Sequence, residues 1–478
     1  MIFFVEAICM IIELCISRIL SPFFGSSNTA WTIVIGFILL ANSIGNNIGG
    51  KIIDKKIKNG MFLSLLFSNV LLLFSNILNL LLNNNIVNSS LISLIAVLLF
   101  IVEIALGTIP PQIMYEHTSK NKTGVQTAKI YKNATLGGLV GTFFGGLVLI
   151  KYLSSEIIIL ICALIICILL LFLINKQQKL CIISLILICI TLILIPLELF
   201  SESNHKSKNE NLNIKIDSMY DRIWVHDTNE VLDGVNDDYK NEPIRLYNTG
   251  TFCASGTFIR KDIRNEIVFN YLKKTDEIIK NEKTKDADIL MIGGAAYQLP
   301  KHILANTNNN IDVVEIDDKS YEIACQYFYL KDCLDEFDSE HKRFNNYIDD
   351  GRIFLSKNEK RYDFIINDAF LGETAPPTLS TQEFANIIYN RLNEDGIYII
   401  NIITSIDGFN STRLKDEYKT LQTVFTNVKL IKIENNDDNM KKQNYCLIAT
   451  NRELKGKYQF KNIDTNKAEV LTDNKTKQ

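Results

Sequence analysis

Hydrophobic residues are concentrated in the first 200 positions, where Ile, Leu, Phe and Val form long uninterrupted runs. A helix of about 20 apolar residues is long enough to cross the hydrocarbon core of a bilayer. On this pattern we predict membrane-spanning helices at 2–20, 30–50, 61–82, 91–109, 133–152, 157–175 and 180–199. Residues 1–200 are therefore predicted to be a multi-span transmembrane domain of about seven helices, with the lipid bilayer as partner.

Beyond position 200 the chain becomes rich in Lys, Asp, Glu and Asn. Residues 201–213 are too polar to form a core and are interpreted as a linker. In 214–227 and 244–259, β-branched and aromatic residues alternate with polar ones, which is typical of strands. We predict a small antiparallel β-subdomain over 214–261.

The following segment alternates between strand-like and helix-like patterns. A helix is predicted at 262–283, and apolar runs near 288–293, 311–316, 363–368 and 396–403 predict strands separated by helices. This alternation indicates a parallel, doubly wound α/β sheet of Rossmann-like type. The runs at 427–433 and 444–450 suit the antiparallel edge of a methyltransferase-type sheet, which gives a domain over 262–454 and a polar tail over 455–478.

Composition narrows the function classes. A length of 478 residues predicts two or three domains, and a net charge of −3 gives no overall reason to expect nucleic acid as a partner. The ten cysteines and five histidines show no metal-ligand spacing, so no metal is predicted. The absence of a disulfide framework favours a reducing compartment for the polar half.

Three charged residues lie inside the first predicted span: Glu6, Glu13 and Arg18. Charges within a span are costly and usually face a bundle interior, which makes them candidates for a functional site. A Glu–Arg pair that only holds helices together explains them equally well.

Glycines recur near the end of the second predicted span. Gly45, Gly49 and Gly50, followed by Asp54 and Lys55, resemble the short loop between spans two and three of major facilitator transporters. Glycines at such positions allow close approach of helices, and an anchor packed on itself would use them in the same way.

Glycine and acidic residues stand where the predicted parallel strands end. Gly293 and Gly294 end the first strand, where missing side chains let a ligand approach the backbone. Glu315 closes the second strand roughly 20 residues further on, where a carboxylate can accept hydrogen bonds from both ribose hydroxyls. The pattern indicates a nucleoside cofactor, with an S-adenosylmethionine-type molecule as the best candidate.

Two further acidic positions continue this series. Asp350, which precedes Gly351, falls where the third strand should end and could meet an adenine amino group, although Asp349 could replace it. Asp368 ends the fourth strand and is expected to face the reacting centre. Four strand ends in this order are a stronger signal than a glycine pair alone.

The positive-inside rule bears on orientation. Basic loops at 51–58, 120–132 and 175–179 place the amino terminus inside. Seven spans would then leave the polar half outside, whereas S-adenosyl cofactors are expected in the cytoplasm. We follow the cofactor argument and predict an integral protein of the cell membrane with a cytoplasmic soluble domain, against the orientation that seven spans and the loop charges predict.

Several motifs together resemble a known family, the spermidine synthases or polyamine aminopropyltransferases. They are the pattern at Ser218–Val225, the IGG strand at 292–294, VEID at 314–317, DDGRIFL at 349–355, YDFIINDA at 362–369, TLSTQEF at 378–384 and LNEDGIYIIN at 392–401. With the run at 16–32, the chain is similar to the branch in which a multi-span membrane region is fused to such a domain.

The resemblance implies roles for individual residues. Asp368 matches the acid that takes a proton from the attacking amine, because only a neutral amine can displace the sulfonium-activated carbon. Glu315 would bind ribose, Asp350 adenine, and Tyr220 would line the pocket of a small-molecule amine. The family is commonly oligomeric, which implies a homo-oligomer.

Two departures from the family pattern concern the amine anchors. The glycine loop usually reads GGGDG, and its Asp holds the aminopropyl ammonium of decarboxylated S-adenosylmethionine. Here Gly293, Gly294, Ala295, Ala296 and Tyr297 contain no acid. A second Asp expected three residues after the catalytic one is replaced by Leu371. The polyamine selectivity is therefore open.

Three hypotheses follow. The first is a membrane-anchored spermidine synthase-like transferase that moves an aminopropyl group from decarboxylated S-adenosylmethionine to an amine such as putrescine. The second is a methyltransferase that uses S-adenosylmethionine itself. The third is a non-enzymatic polyamine or nucleoside sensor or transporter, in which the intramembrane glutamates carry the function.

Overall fold

The computed structural model describes residues 1–24, 28–57, 59–82, 89–118, 123–173, 178–204, 213–249, 252–283, 286–370, 375–433 and 438–474. The chain divides into two compact units. The first, here called the helical unit, comprises Met1–Glu210, Ile214–Ile223 and Thr249–Thr251. The second, called the sheet unit, comprises Asn211–Asn213, Trp224–Asn248 and Phe252–Gln478.

Long apolar helices build the helical unit. Its described helices are α1 (Ile2–Phe24), α2 (Asn28–Asp54), α3 (Gly60–Leu82), α4 (Ser89–Gly107), α5 (Ile109–Thr118), α6 (Thr123–Phe144), α7 (Ile150–Tyr152), α8 (Ser155–Leu173) and α9 (Gln178–Asn204). A π-helical turn at Gly145–Leu149 joins α6 to α7. The inward sides of α1, α3, α4 and α8 share one apolar core.

Five stretches of the described residues are long and apolar enough to cross a membrane, judged by length and composition. They are Thr32–Asp54, Gly60–Leu80, Ser93–His117, Gly124–Tyr152 and Ser155–Leu173, with a shorter apolar helix at Ile182–Glu198. The charge-bearing α1 is not among them. The helical amino-terminal region is thus confirmed, while seven spans stay a prediction.

Two of the glycines in α2 permit close helix packing, as the sequence predicted. A Cβ atom on Gly45 would lie 2.9 Å from the Cα of Gly107, and one on Gly49 would lie 2.6 Å from Cγ of Pro111. Any larger side chain would push α2 away from α4 and α5. Gly50 differs, because a Cβ there would meet nothing within 4 Å.

A buried ion cluster ties the residues after α9 to the start of α8 within the helical unit. The guanidinium of Arg222 donates to Asp217 at 2.6 Å and to Glu156 at 3.1 Å. The Ser155 hydroxyl and backbone N–H both donate to Asp217. Burial by itself would raise the pKa of Asp217, but the adjacent Arg222 outweighs it and lowers that pKa to about 2.

Strands and helices alternate along the rest of the chain. In order they are β1 (Asn213–Asp217), β2 (Arg222–Thr228), β3 (Ile244–Thr249), β4 (Phe252–Phe258), α10 (Asn270–Glu282), β5 (Asp288–Ile292), α11 (Gln298–Asn306), β6 (Asn310–Glu315), α12 (Asp318–Tyr327), α13 (Leu330–Phe337), β7 (Phe344–Ile348), α14 (Gly351–Lys357), β8 (Tyr362–Asn367), α15 (Gln382–Arg391), β9 (Leu392–Thr404), α16 (Thr412–Gln422), β10 (Asn427–Lys432), β11 (Gln443–Thr450) and β12 (Phe460–Lys461). Short 3₁₀ turns lie at Asp237–Tyr239, Pro377–Leu379 and Phe409–Ser411.

The large sheet of the sheet unit has the order β12-β10-β11-β9-β8-β5-β6-β7. Strands β7, β6, β5, β8 and β9 run parallel, and β11, β10 and β12 add an antiparallel edge. The order reverses between β5 and β8, where a doubly wound sheet opens a crevice at the carboxyl ends of its strands. The Rossmann-like sheet and its antiparallel edge are confirmed.

The central strand β5 buries side chains on both faces of the sheet, because its alternate residues belong to two different apolar clusters. In β5, Ile289 and Met291 belong to one apolar cluster, while Leu290 and Ile292 belong to another. A strand that buries both sets of side chains reads as a continuous apolar run, which is the pattern that predicted it.

Three boundaries differ from the sequence predictions. Helix α9 continues to Asn204, into the predicted linker. Residues 214–223 belong to the helical unit, so the antiparallel subdomain predicted over 214–261 stays a prediction. The predicted polar tail packs on the sheet unit: β12 pairs with β10, and Leu471 is 6 % exposed. A few apolar residues of this tail are buried, and the many polar residues around them make that burial hard to predict from the sequence.

Candidate active site

A sharp glycine turn leads from β5 to α11. Gly293 has φ of +91°, and a Cβ atom there would lie 2.7 Å from the carbonyl oxygen of Asp368. At Gly294 a Cβ would lie 2.7 Å from the ring of Tyr297. Both positions therefore require glycine, the first for conformation and close approach and the second for space.

Backbone hydrogen bonds bring three strand ends together at this turn. The Gly293 N–H donates to the Val314 carbonyl at 2.9 Å, and the Asp368 N–H donates to the Ile292 carbonyl at 3.0 Å. The turn thus lies between the ends of β6 and β8. This is the crevice in which doubly wound sheets bind their ligands.

Glu315, the last residue of β6, holds the glycine turn. Its Oε2 accepts from the N–H of Gly294 at 2.7 Å and of Ala295 at 3.3 Å, while its Oε1 accepts from the Asp317 N–H at 3.0 Å. The residue is buried. A carboxylate has about four lone-pair sites, so the same group can fix the turn and still accept from a ligand hydroxyl.

Asp350 lies after β7 and caps α14. Its Oδ1 accepts from the N–H groups of Arg352 at 2.9 Å and Ile353 at 3.0 Å. The Asp349 carboxylate in turn accepts from the Asp350 N–H at 2.8 Å. One carboxyl oxygen of Asp350 is therefore used by the helix, which leaves Oδ2 as the acceptor that could face a ligand.

Gly351 packs against the end of β5. A Cβ atom there would lie 2.5 Å from Cγ2 of Ile292, in a fully packed position. Its small size lets α14 start directly beside the central strand.

Asp368 follows β8 and is held by two donors. The Asn401 amide donates to Oδ1 at 2.8 Å, and the Tyr271 hydroxyl donates to Oδ2 at 3.1 Å. Asn401 is itself oriented by Asn444, whose amide donates to the Asn401 Oδ1 at 3.0 Å. The carboxylate is thus fixed in direction from three separate elements: α10, β9 and β11.

The protonation of Asp368 is shifted strongly. Burial raises the pKa of its carboxyl from 3.8 to about 7, although the hydrogen bonds from Asn401 and Tyr271 act to lower it. A carboxyl that titrates near neutral pH can both accept and release a proton, as a general base requires.

Sequence reasoning missed both donors to Asp368. Tyr271 lies on α10, 97 positions before the carboxylate, and Asn401 lies 33 positions after it. The one available signal was the polar Asn401 inside the apolar run IINII of β9. A polar residue at the carboxyl end of a buried strand indicates a hydrogen-bond partner nearby.

The turn between β5 and α11 lacks the acid expected from the family pattern and carries uncharged side chains instead. Ala296 is fully buried. Tyr297 is also buried, adopts φ of +54°, and donates its hydroxyl to Oδ1 of Asn346 at 2.7 Å. Leu371, where a second acid was expected, lies outside the described residues.

Tyr220 belongs to the helical unit, in the turn between β1 and β2. It is 45 % exposed, and its backbone N–H donates to the Ser218 hydroxyl at 3.1 Å. The neighbouring Met219 carbonyl accepts from the Arg18 guanidinium of α1. A role for Tyr220 in an amine pocket stays a prediction.

The doubly wound sheet, its glycine turn and the strand-end carboxylates define a Rossmann-like domain of the kind that binds nucleosides. Residues 269–432 match the model of the spermine/spermidine synthase domain. This part of the chain is therefore similar to the spermine/spermidine synthase domain, and the resemblance found in its motifs is confirmed.

Curated relatives agree with this assignment. The chain is 29% identical over 205 residues to the polyamine aminopropyltransferase of Agathobacter rectalis, which covers 40% of this chain and 64% of that protein. It is 34% identical over 154 residues to the polyamine aminopropyltransferase of Lachnospira eligens, which covers 31% and 50%. The chain thus spans less than two thirds of the length of these relatives.

A solved structure, a probable spermidine synthase from Corynebacterium glutamicum, is 19% identical and matches with a TM-score of 0.40. The match covers 50% of this chain and 80% of that one.

Proposed function

We propose that this protein is a membrane-anchored, spermidine synthase-like transferase with Asp368 as its base. It transfers the aminopropyl group of decarboxylated S-adenosylmethionine to an amine such as putrescine. The observation that carries this proposal is the position of Asp368, which lies at the carboxyl end of β8 against the glycine turn and has a pKa of about 7.

The chemistry requires a neutral amine. A protonated amine has no lone pair, so a base must remove its proton before or during attack on the carbon beside the sulfonium. The new C–N bond forms as the C–S bond breaks, the sulfonium becomes a neutral thioether, and the proton moves to Asp368. Tyr271 and Asn401 orient the carboxylate and stabilise its ionised form.

The nucleoside part of the donor fits the remaining strand ends. Glu315 has acceptor capacity for ribose hydroxyls beyond its bonds to the turn. The Oδ2 of Asp350, which the cap of α14 does not use, would accept from an adenine amino group, and Gly293, Gly294 and Gly351 would let the ligand approach the backbone. Tyr220 would line the amine pocket.

The helical unit supports membrane anchoring. Five apolar stretches have the length and composition of spans. We place the sheet unit in the cytoplasm, where its substrates are expected, and the whole protein in the cell membrane as a homo-oligomer.

Methyl transfer from S-adenosylmethionine is the second candidate, and a specific observation favours it. The position expected to hold the aminopropyl ammonium is the fully buried Ala296, which offers no charge to that group. An intact S-adenosylmethionine carries a carboxylate as well as an ammonium at this end, so the absence of an acid suits it better.

The test uses the full-length protein in detergent micelles. Calorimetry measures the affinity for decarboxylated and intact S-adenosylmethionine, and mass spectrometry identifies the products formed with putrescine. We expect tighter binding of the decarboxylated form and an aminopropylated product. The variant Asp368→Asn should lose about 10²-fold or more in kcat while it keeps donor affinity, because only proton transfer is removed.

Asp395→Asn is the matched control, since Asp395 is an exposed acid in the same sheet unit. It should leave both activity and binding unchanged. Full activity of Asp368→Asn contradicts the base assignment. A methylated product favours the second candidate, and failure to bind either donor overturns both and leaves a non-enzymatic role.

A further inference from the structure

Glu103 of α4 lies in the interior of the helical unit and is 0 % exposed. Within the described part of the chain, no nitrogen or oxygen group hydrogen-bonds to its carboxyl oxygens, and the donor beside them is the thiol of Cys9. An ionised carboxylate in such a place costs several kcal/mol or more without a compensating charge or donor. The neutral acid is therefore the protonation state of lower free energy for this side chain.

The surroundings of Glu103 come from three other helices. Cys9 of α1, which is 5 % exposed, and Cys162 of α8, which is 1 % exposed, lie close enough to interact with it electrostatically. The Cys9 thiol is only a weak hydrogen-bond donor to Glu103, and neither thiol carries a positive charge, so the two neighbours stabilise an ionised carboxylate little.

Asn69 of α3 lies at the same height along the helix bundle as Glu103 of α4. The Thr108 hydroxyl beyond the end of α4 donates to the Ser64 hydroxyl near the start of α3 at 2.6 Å, so the two helices run antiparallel. Asn69 and Glu103 each lie five residues from this pair towards the bundle centre, about 7.5 Å along either helix.

The amide orientation of Asn69 leaves an acceptor in the core. Its Nδ2 donates to the Ala163 carbonyl of α8 at 2.6 Å, while its Oδ1 has no partner in the described residues and the side chain is 0 % exposed. An acid O–H needs such an acceptor. Two independent side chains thus present unpaired oxygens to the same level of the bundle.

Two more carboxyls flank this level on α1. Glu6, Cys9 and Glu13 occupy positions i, i+3 and i+7, which lie along one side of a helix. Both glutamates interact electrostatically with Glu103. The remaining titratable groups of the packed helices are Cys15 and Arg18 of α1, Lys51 and Asp54 of α2, Tyr115, Glu116 and His117 of α5, and Glu156 and Cys167 of α8, while α3 has none.

We propose that Glu103 is a proton-binding site in the core of the helical unit, and that Glu6 and Glu13 exchange its proton with the two sides of the bundle. Rows of carboxyls inside an apolar helix bundle can form proton relays. A hard metal ion would need six or more oxygen ligands, more than the unpaired oxygens of Glu103 and Asn69 supply. The proposal does not depend on the reaction of the sheet unit.

Infrared difference spectroscopy of the full-length protein tests the site directly. We expect a carboxylic-acid C=O band at neutral pH that disappears in Glu103→Gln and remains in Glu116→Gln, a control at an exposed position of the same unit. Glu103→Asp should retain an acid band at a shifted frequency, which keeps the test decisive if the glutamine variant does not fold. A wild-type band that persists unchanged in the Glu103 variants overturns the proposal.

The exchange role has its own readout. On transfer to D₂O, the shift of the Glu103 band should slow by about tenfold or more in the double variant Glu6→Gln/Glu13→Gln, because the proton then has no carboxyl carrier across the apolar packing. An unchanged exchange rate refutes the relay. If sodium chloride, but not choline chloride, removes the band at constant pH, the ligand is Na⁺ and the proton assignment is wrong.

Discussion

Tyr271 offers a direct way to change the proton affinity of the proposed base. Its hydroxyl donates to Asp368 at 3.1 Å and stabilises the ionised carboxylate. A hydrogen bond to a charged group contributes about 1.5–3 kcal/mol, and one pKa unit corresponds to about 1.36 kcal/mol. At 3.1 Å this bond is long for an O–H···O contact, so we take the lower end of the range and expect Tyr271→Phe to raise the pKa of Asp368 by about one unit.

The sign of the effect on activity follows from the role of the base. Asp368 accepts a proton only when ionised, so kcat/KM should fall as the pH drops through its pKa of about 7. In Tyr271→Phe the midpoint of this fall in kcat/KM should move to about pH 8, and activity should recover above that pH. The variant should therefore lose most at neutral pH and least in alkaline solution.

The assay is the pH profile of kcat/KM for the full-length protein with a saturating donor and limiting amine. Tyr389→Phe is the control, since Tyr389 lies on α15 and is 46 % exposed. A midpoint that stays in place or moves down in Tyr271→Phe would refute the reasoning. A wild-type midpoint near pH 4, where an unperturbed carboxyl titrates, would also refute the reasoning.

Three further variants test other parts of the structure. Gly293→Ala places a Cβ 2.7 Å from the Asp368 carbonyl oxygen at a φ of +91°, so the donor affinity measured by calorimetry should fall by about tenfold or more. Wild-type donor affinity in this variant would contradict the turn geometry. Asp350→Ala removes the cap of α14 and should lower the free energy of unfolding by about 1 kcal/mol in addition to any loss of donor binding, whereas a loss of binding alone would show that the cap is not structural. Arg222→Met removes the guanidinium that pairs with the buried Asp217 and Glu156 and leaves Lys215 as a more distant cation, so it should destabilise the protein by about 3 kcal/mol in thermal unfolding. An unchanged melting temperature would show that the cluster adds nothing.

Much of the sheet unit could be predicted from the sequence. The strands β5, β6, β8 and β9 were found within a few residues, because a strand buried on both faces leaves an apolar run that a glycine or an acid ends. The close approach of α2 at Gly45 and Gly49 was also predicted, since glycine spacing along a helix is visible in one dimension.

Other features depended on contacts between distant segments. The role of Asp350 as a helix cap was missed because β7 ends before it and α14 starts directly after it, a boundary that local patterns place only approximately. The polar tail contains β12, which forms because β10 presents a free edge to it.

Local periodicity of side chains along the sequence is enough to show which residues stand at strand ends and which helices are apolar. The hydrogen bonds of Tyr271 and Asn401 to Asp368, and the burial of Glu103 away from nitrogen and oxygen donors, arise from the packing of elements that are distant in the chain. Partners and burial depend on which elements pack together, and a proton affinity depends on both. The chemistry of this protein is therefore set by neighbours that lie far apart in its sequence.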